Sequence, residues 1–195
     1  MKKVSIVLFL ISFCFSSLYV FGQLKETPNL PIDKETGKIT YTEVVNVDNT
    51  NKDELLKRAK LWMAKTFVSS KTVIDLIDAE NGIIISKPTI EVYWEYTGST
   101  YEGGYIHYTF SIFIKEGRYK YEITDLYHKG KFTGKYTIED GGLCEDMIET
   151  KQRIMFQSRQ REFNYYLNIA NNEINNLITS LKEAMNKEVI TNDNW

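Results

Sequence analysis

The fold of this chain is decided by residues 105–123, YIHYTFSIFIKEGRYKYEI. Apolar and polar side chains alternate along both halves of this stretch, and Glu116-Gly117 between the halves is a turn sequence. Such alternation is typical of strands with one buried and one wetter face. We therefore predict two long antiparallel strands that share an apolar face. That face consists of Ile106, Tyr108, Phe110, Ile112, Ile114, Tyr119, Tyr121 and Ile123.

The segments upstream predict further strands of the same sheet. Residues 38–47 are rich in β-branched side chains and predict the first strand. Two β-type runs, at residues 72–79 and 83–87, flank Asn81-Gly82, and Asn-Gly is typical of tight hairpin turns. The sequence therefore places a hairpin before the long strands.

Residues 89–97 predict one more strand, because apolar and polar side chains alternate again. Its predicted buried side is Ile90, Val92, Trp94 and Tyr96, and its opposite side is Glu91, Tyr93 and Glu95. Residues 98–104, which contain Gly103-Gly104, are predicted as a loop.

Two amphipathic helices are predicted, one before the hairpin in the sequence and one after the long strands. Asn51 and Glu54 form a capping pair at the start of the first helix, and Trp62 lies in the centre of its apolar stripe as a predicted core residue. The second helix is predicted from about Arg161, and residues 147–160 either extend it or form a separate helix. Its stripe is Phe163, Tyr166, Ala170, Ile174, Leu177, Ile178, Leu181 and Met185.

Both helical stripes need an apolar surface, and the apolar face of the sheet provides it. The predicted fold is therefore α+β, in the order strand, helix, antiparallel meander, helix, with two helices packed on one face of a single antiparallel sheet. Residues 128–150 contain four glycines and are left unassigned, apart from a short strand predicted around residues 136–138.

The first 22 residues have the pattern of a secretory signal peptide. Lys2 and Lys3 precede an apolar run at residues 4–20, and the predicted cleavage lies between Gly22 and Gln23. An uncleaved N-terminal anchor is the competing interpretation, since the apolar run is only just long enough to span a bilayer as a helix. A lipoprotein is not predicted, because Cys14 lies inside the apolar run.

Cleavage leaves an acidic chain with 22 basic and 26 acidic side chains, a formal charge of −4. This balance disfavours nucleic acid as a partner. Cys144 would be the one remaining cysteine, so no intramolecular disulfide is expected. We expect an extended lead-in at residues 23–37, a single domain at 38–190 and a tail at 191–195, with no integral membrane span after cleavage.

One stretch of the chain resembles a known family. Residues 30–67, LPIDKETGKITYTEVVNVDNTNKDELLKRAKLWMAKTF, are similar to the opening of the domain of unknown function family 4468, found in exported proteins of Gram-negative gut-type bacteria. The resemblance implies a fold like one half of the TATA-binding protein, in the order strand, helix, four strands, helix. It implies no activity, since none is established for the family. The TATA-binding protein holds DNA on its open sheet face, where this chain would present Glu91, Glu95 and Glu122.

The sequence contains no recognisable catalytic or metal motif. His107 and His128 lack ligand partners at metal-binding spacing, and Cys144 has no nucleophile context. Glu91 and Glu95 lie about 13 Å apart by strand rise, whereas a glycosidase pair needs about 5 to 10 Å. We therefore predict no catalytic residues, no metal and no cofactor.

Exposed aromatic side chains are the remaining functional signal, since tyrosines can stack on sugars or anchor a protein partner. The predicted ligand or partner face consists of Glu91, Tyr93, Glu95, His107 and Phe113. These residues favour an exported noncatalytic binding module for an envelope protein, a glycan or a small ligand, with a homodimer as another candidate. The alternatives are an envelope hydrolase that uses carboxylates or Cys144, and a helix-grip lipid or small-ligand carrier.

Overall fold

The computed structural model describes residues 26–67, 73–132, 137–148 and 157–187. The predicted signal peptide, its cleavage at Gly22 and Gln23, and the tail at 191–195 lie outside these residues. In chain order the elements are β1 (Tyr41–Asn46), α1 (Lys52–Thr66), β2 (Val73–Asp78), β3 (Ile83–Lys87), β4 (Thr89–Tyr96), β5 (Ser99–Lys115), β6 (Arg118–Lys129), β7 (Gly142–Leu143), α2 (Cys144–Ile148) and α3 (Gln157–Met185).

The strands form one antiparallel sheet in the order β1-β6-β5-β3-β2. Strand β4 continues from β3 past Pro88 and pairs with the other half of β5, while β7 pairs with the end of β6. The register sets Phe110 opposite Ile123 and Ile112 opposite Tyr121. The alternation within residues 105–123 is thus confirmed, and every side chain of the predicted apolar face is buried.

Helices α1 and α3 pack on this apolar face and touch each other. The Trp62 ring lies edge-on to Phe110 at a centroid distance of 5.6 Å, which confirms its core role. The stripe of α3 is buried or, at Leu177, partly buried against the same core. The two-helix, one-sheet arrangement is therefore the predicted one. No helix within the described ranges is both long enough and apolar enough to cross a membrane.

The capping residue predicted for α1 acts as expected. The Oδ1 atom of Asn51 accepts a hydrogen bond from the backbone N–H of Glu54 at 2.8 Å. The Glu54 carboxylate accepts from the Nε of Arg58 at 2.9 Å. Arg58 is buried, so α1 carries a guanidinium into the core beside its apolar stripe.

The loop predicted at residues 98–104 is wrong, because β5 begins at Ser99. The turn consists of Thr97 and Gly98, both with positive φ (48° and 77°), which is the backbone that a two-residue hairpin requires. Gly103 and Gly104 lie inside the strand at a register shift opposite Val92 and Tyr93. A Cβ on Gly103 would overlap the ring of Tyr166, so a bare backbone is needed there for α3 to approach.

Three smaller predictions also need correction. Tyr96 is 52% exposed, so the buried side of β4 ends earlier than its alternation predicts. Helix α3 begins at Gln157 and not near residue 161, and Cys144–Ile148 form the separate helix α2. Around the strand predicted at 136–138, the described residues give one bridge, Phe132 to Thr137, and residue 136 lies outside them.

The N-terminal segment before β1 is not wholly exposed. Leu30 is buried, and the Thr27 hydroxyl donates to Asn164 of α3 at 3.0 Å. The side-chain amide of Asn168 also donates to the carbonyl of Glu26 at 2.6 Å. Residues 26–30 therefore lie along α3.

Candidate functional site

The side chains of the predicted partner face do not lie close together. Phe113 and His107 lie six residues apart on β5, about 20 Å by strand rise, and Glu91 pairs with Tyr105 farther along. The Tyr93 hydroxyl donates a hydrogen bond to the Glu91 carboxylate at 3.1 Å. Desolvation raises the pKa of Tyr93, and this hydrogen bond raises it further by a smaller amount. The five predicted residues, Glu91, Tyr93, Glu95, His107 and Phe113, are thus strung along β4 and β5.

Around Phe113 the strand register gathers apolar side chains that the sequence prediction missed. Ile83 lies opposite Phe113, and Val44 and Phe113 both lie opposite Lys120 of β6. In the neighbouring row, Leu76 lies opposite Ile85. We call Val44, Leu76, Ile83, Ile85 and Phe113 the apolar patch. It lies on the sheet face opposite the helices.

The apolar patch is accessible to a partner. Val44 is 57% exposed and Leu76 is 46% exposed, while the other three members are half-buried. Individually, Val44 and Leu76 suit a strand, so neither stood out in the sequence. Only the pairing of β1, β6, β5, β3 and β2 brings the five side chains to one face.

Two pairs of oppositely charged side chains lie on this face. Lys120 and Glu122 approach at 2.6 Å, and Lys87 and Asp75 approach at 2.7 Å. The Lys120 ammonium also lies 5.4 Å from the centroid of the Phe113 ring. Lys120 and Glu122 both lie on β6, and Lys120 separates Val44 from Phe113, while the exposed Lys115 and Arg118 lie opposite each other in the next row.

A second surface is a cleft at the tip of the β4–β5 hairpin, with a volume of about 780 Å³. Trp94 and Tyr101 lie opposite each other in the register and their rings stack at 4.9 Å with an interplanar angle of 26°. Phe132, which follows β6, is 72% exposed. We call this the aromatic cleft, and its lining residues are Trp94, Thr100, Tyr101, Glu102, Lys131, Phe132 and Ile138.

The polar groups of the aromatic cleft form one ion pair. Lys131 and Glu102 approach at 2.9 Å, and the ammonium lies 5.7 Å from the centroid of Tyr105. The hydrogen bond from Lys131 to Glu102 raises the pKa of the lysine. The cleft therefore combines apolar rings with a hydrogen-bond donor and an acceptor whose opposite charges balance each other. Sequence reasoning missed it because its two sides fall in the predicted loop and in the unassigned glycine segment.

A third cleft, of about 570 Å³, lies between β1 and α3 and is polar. Glu43 accepts from Lys182 at 2.6 Å and from the Tyr121 hydroxyl at 2.9 Å, and the bond from Lys182 is the main reason that the Glu43 pKa is lowered. Tyr41 donates to Asn171 at 2.8 Å. These side chains bond to one another across the cleft.

Two residues with potential for acid–base or nucleophilic chemistry, His128 and Cys144, are buried. His128 is fully buried on β6, where its Nδ1 accepts from the N–H of Gly141 at 2.8 Å and its Nε2 donates to the Gly103 carbonyl at 2.6 Å. Its ring stacks on Tyr166 at 4.9 Å. Cys144 is also fully buried, and burial raises its thiol pKa to about 12.

His128 and Cys144 both lie in the packed interior. Neither residue lines any of the clefts above. Among the described residues, no three His, Cys, Asp or Glu side chains lie close enough together to hold a metal ion.

We expect the buried imidazole to make the domain less stable in mild acid. Desolvation lowers the His128 pKa below 6.5, against smaller raising effects of the hydrogen bond to Gly103 and of Asp140, and with smaller lowering effects of Arg159 and His107. Below pH 6.5 the unfolded chain binds a proton that the folded chain resists, so stability is lost as the pH falls from 6.5 toward the folded pKa. Protonation would also remove the acceptor for Gly141.

Urea unfolding at pH 7.5 and pH 5.5 measures this effect, with His128→Gln as the comparison. The paired carboxylates Glu43 and Asp125 have lowered pKa values, so their contributions are lost at more acidic pH. The wild type should lose more stability than His128→Gln over this interval. Equal losses in the two proteins would contradict the assignment of a buried neutral imidazole.

Comparisons with known proteins identify the fold. Residues 41–129 match a family described as a domain of unknown function (DUF4468) with TBP-like fold. A TBP-like protein from Parabacteroides distasonis is 17% identical, with a TM-score of 0.55 over 77% of this chain and 96% of that one. A DUF4468 family protein from Bacteroides ovatus is 11% identical, with a TM-score of 0.59 over 80% of this chain and 91% of that one. No curated protein matches the chain. These likenesses confirm the TATA-binding-protein-like α+β fold.

Proposed function

Taking residues 41–129 as a DUF4468-family domain with a TBP-like fold, we propose that this chain is an exported, noncatalytic binding module that docks a protein partner on the open face of its sheet. The apolar patch is the observation that carries the proposal. It joins side chains from β1, β2, β3 and β5 on the face opposite the helices. Leu76, Ile83, Ile85 and Phe113 are neighbours, and Val44 lies across Lys120 from Phe113. Exposed apolar side chains gathered on one face in this way are typical of interaction sites.

The chemistry of the patch favours a protein with a weakly charged, apolar surface. Lys120 and Lys87 are paired with Glu122 and Asp75, so the charge beside Phe113 and Leu76 is balanced. The exposed Lys115 and Arg118 lie in the next row of the same face. The one aromatic ring of the patch, Phe113, is half-buried and lies beneath Lys120, which leaves little flat ring for a sugar. Aliphatic side chains from a partner protein would fit beside Val44 and Leu76.

Three further observations support the rest of the proposal. The pattern of Lys2, Lys3, the apolar run at 4–20 and Gly22-Gln23 supports export. The burial of His128 and Cys144 supports a noncatalytic role over the hydrolase alternative. The apolar side chains of α3 pack in the same hydrophobic core as those of the sheet, which favours a packed domain over the lipid carrier.

Site-specific photo-crosslinking in cells tests the docking face. A photoreactive amino acid at position 44 or 76 should give a discrete protein adduct, since these are the two most exposed side chains of the apolar patch. The same group at Leu61 is the matched control, because Leu61 is 41% exposed but lies on α1. Leu76→Thr, which keeps a strand-forming residue, should reduce the adduct at position 44 about ten-fold while the unfolding free energy changes by less than about 1 kcal/mol.

Equal adducts at positions 44 and 61, or no adduct at 44 and 76, would contradict docking on this face. An adduct of twice the chain mass would identify the protein partner as a second copy. Mass spectrometry of the mature chain tests export separately, since cleavage after Gly22 leaves a chain that begins at Gln23.

A further inference from the structure

We propose that the aromatic cleft is a saccharide-binding site, separate from the docking face. The cleft is open to solvent, lined by aromatic rings on two sides and supplied with one acceptor and one donor. Its volume of about 780 Å³ falls within the range of small-molecule sites, about 300–1,000 Å³.

The rings provide flat apolar surface that is held in place before a ligand arrives. Trp94 is partly buried against the core, and Tyr101 stacks on it across the two strands at 4.9 Å. Tyr96 contacts the same indole at 5.9 Å. Tyr101 and Phe132 nevertheless remain 43% and 72% exposed. A pyranose ring offers C–H groups on one face, and aromatic faces carry the partial negative charge that attracts them.

The ion pair provides the polar half of sugar recognition. The side chains of Glu102 and Lys131 are 49% and 33% exposed, so both heads can be reached from the cleft. A carboxylate accepts hydrogen bonds from sugar hydroxyls, and an ammonium group donates to hydroxyl oxygens. Since the two charges lie 2.9 Å apart, together they suit an uncharged ligand.

Other small-molecule classes fit the cleft less well. A nucleotide could stack on Tyr101, but its phosphates would need cations, and Lys131 is neutralised by Glu102. A fatty acyl chain needs an enclosed apolar cavity, whereas Phe132 is largely exposed and a charged pair borders the cleft. Neutral saccharides satisfy both the rings and the paired charges.

Titration of the full mature chain with three neutral hexasaccharides tests the proposal. The probes are the β-1,4-glucose, α-1,4-glucose and β-1,4-N-acetylglucosamine hexamers, and ATP is the charged comparison. Trp fluorescence and amide chemical shifts should respond to at least one hexamer, and ATP should have a weaker effect. Stacking contacts predict that Tyr101→Ala and Phe132→Ala each weaken binding about ten-fold. Tyr101→Phe should retain binding.

The matched control is Tyr127→Ala, because Tyr127 is 39% exposed but does not line the cleft. Its affinity should match the wild type, and circular dichroism should show that all variants remain folded. Absence of a response to all three hexamers, tighter binding of ATP, or equal losses in Tyr101→Ala and Tyr127→Ala would each overturn the proposal. The photo-crosslinking at positions 44 and 76 should be unchanged in Tyr101→Ala, so the saccharide site and the docking face can fail independently.

Discussion

Trp62→Ala should lower the free energy of unfolding by about 3–5 kcal/mol, the usual cost of truncating a buried large aromatic side chain. The indole is 5% exposed and makes edge contacts with Phe110 at 5.6 Å and Phe67 at 5.8 Å. Its Nε1–H donates to the Ser180 hydroxyl of α3 at 2.9 Å. One side chain therefore links α1, the sheet and α3, and its loss would leave a cavity where the three meet.

Urea unfolding of the mature chain measures this loss, and Ser180→Ala separates packing from hydrogen bonding. The Ser180 variant keeps the indole but leaves its N–H without this acceptor, which should cost about 1–3 kcal/mol. A loss at Trp62→Ala no greater than that at Ser180→Ala would contradict the role of the ring as the packing link between the helices and the sheet.

Arg58→Met should lower the free energy of unfolding by about 1.5–3 kcal/mol, the range for hydrogen bonds made by charged groups. Arg58 is 5% exposed and bonds Glu54 at 2.9 Å through Nε and the Met185 carbonyl at 2.8 Å through Nη1. That carbonyl is at the C-terminal end of α3, where backbone acceptors lack helical partners and a positive charge is favourable. Methionine keeps much of the buried stem but makes neither bond.

The comparison for this variant is Lys57→Met, at an exposed position on the same helix. It should change stability by less than about 0.5 kcal/mol, as is usual for a surface substitution without specific partners. Chemical denaturation of both variants is sufficient. Similar stabilities for Arg58→Met and Lys57→Met would show that the link from α1 to the end of α3 contributes little.

Local sequence patterns predicted the secondary structure best where one strong preference acted alone. The alternation in residues 105–123, the Asn81-Gly82 turn and the Asn51 cap each correspond to the observed geometry. The prediction of a loop at residues 98–104 is wrong because two adjacent glycines, Gly103-Gly104, are also typical of a turn. Their actual role is set by Tyr166, a residue more than sixty positions away that occupies the space a side chain on Gly103 would need.

The candidate sites were predicted less well than the fold. Tyr93 and Phe113 were assigned to the open side of the sheet, but the members of the apolar patch come from four strands that the register alone brings together. The aromatic cleft depends on Lys131 and Phe132, which lie in a segment without periodicity. Strand pairing across 30 or more residues leaves no local signal in the sequence.

The sequence by itself determined that this chain is an α+β protein with two amphipathic helices on one face of an antiparallel sheet, because alternation and helical spacing are local properties. The tertiary structure decided which side chains share a surface. It buried His128 between Gly103 and Gly141 and directed Arg58 to the end of α3. Those outcomes depend on strand register and helix docking, which set the distances between residues far apart in the chain.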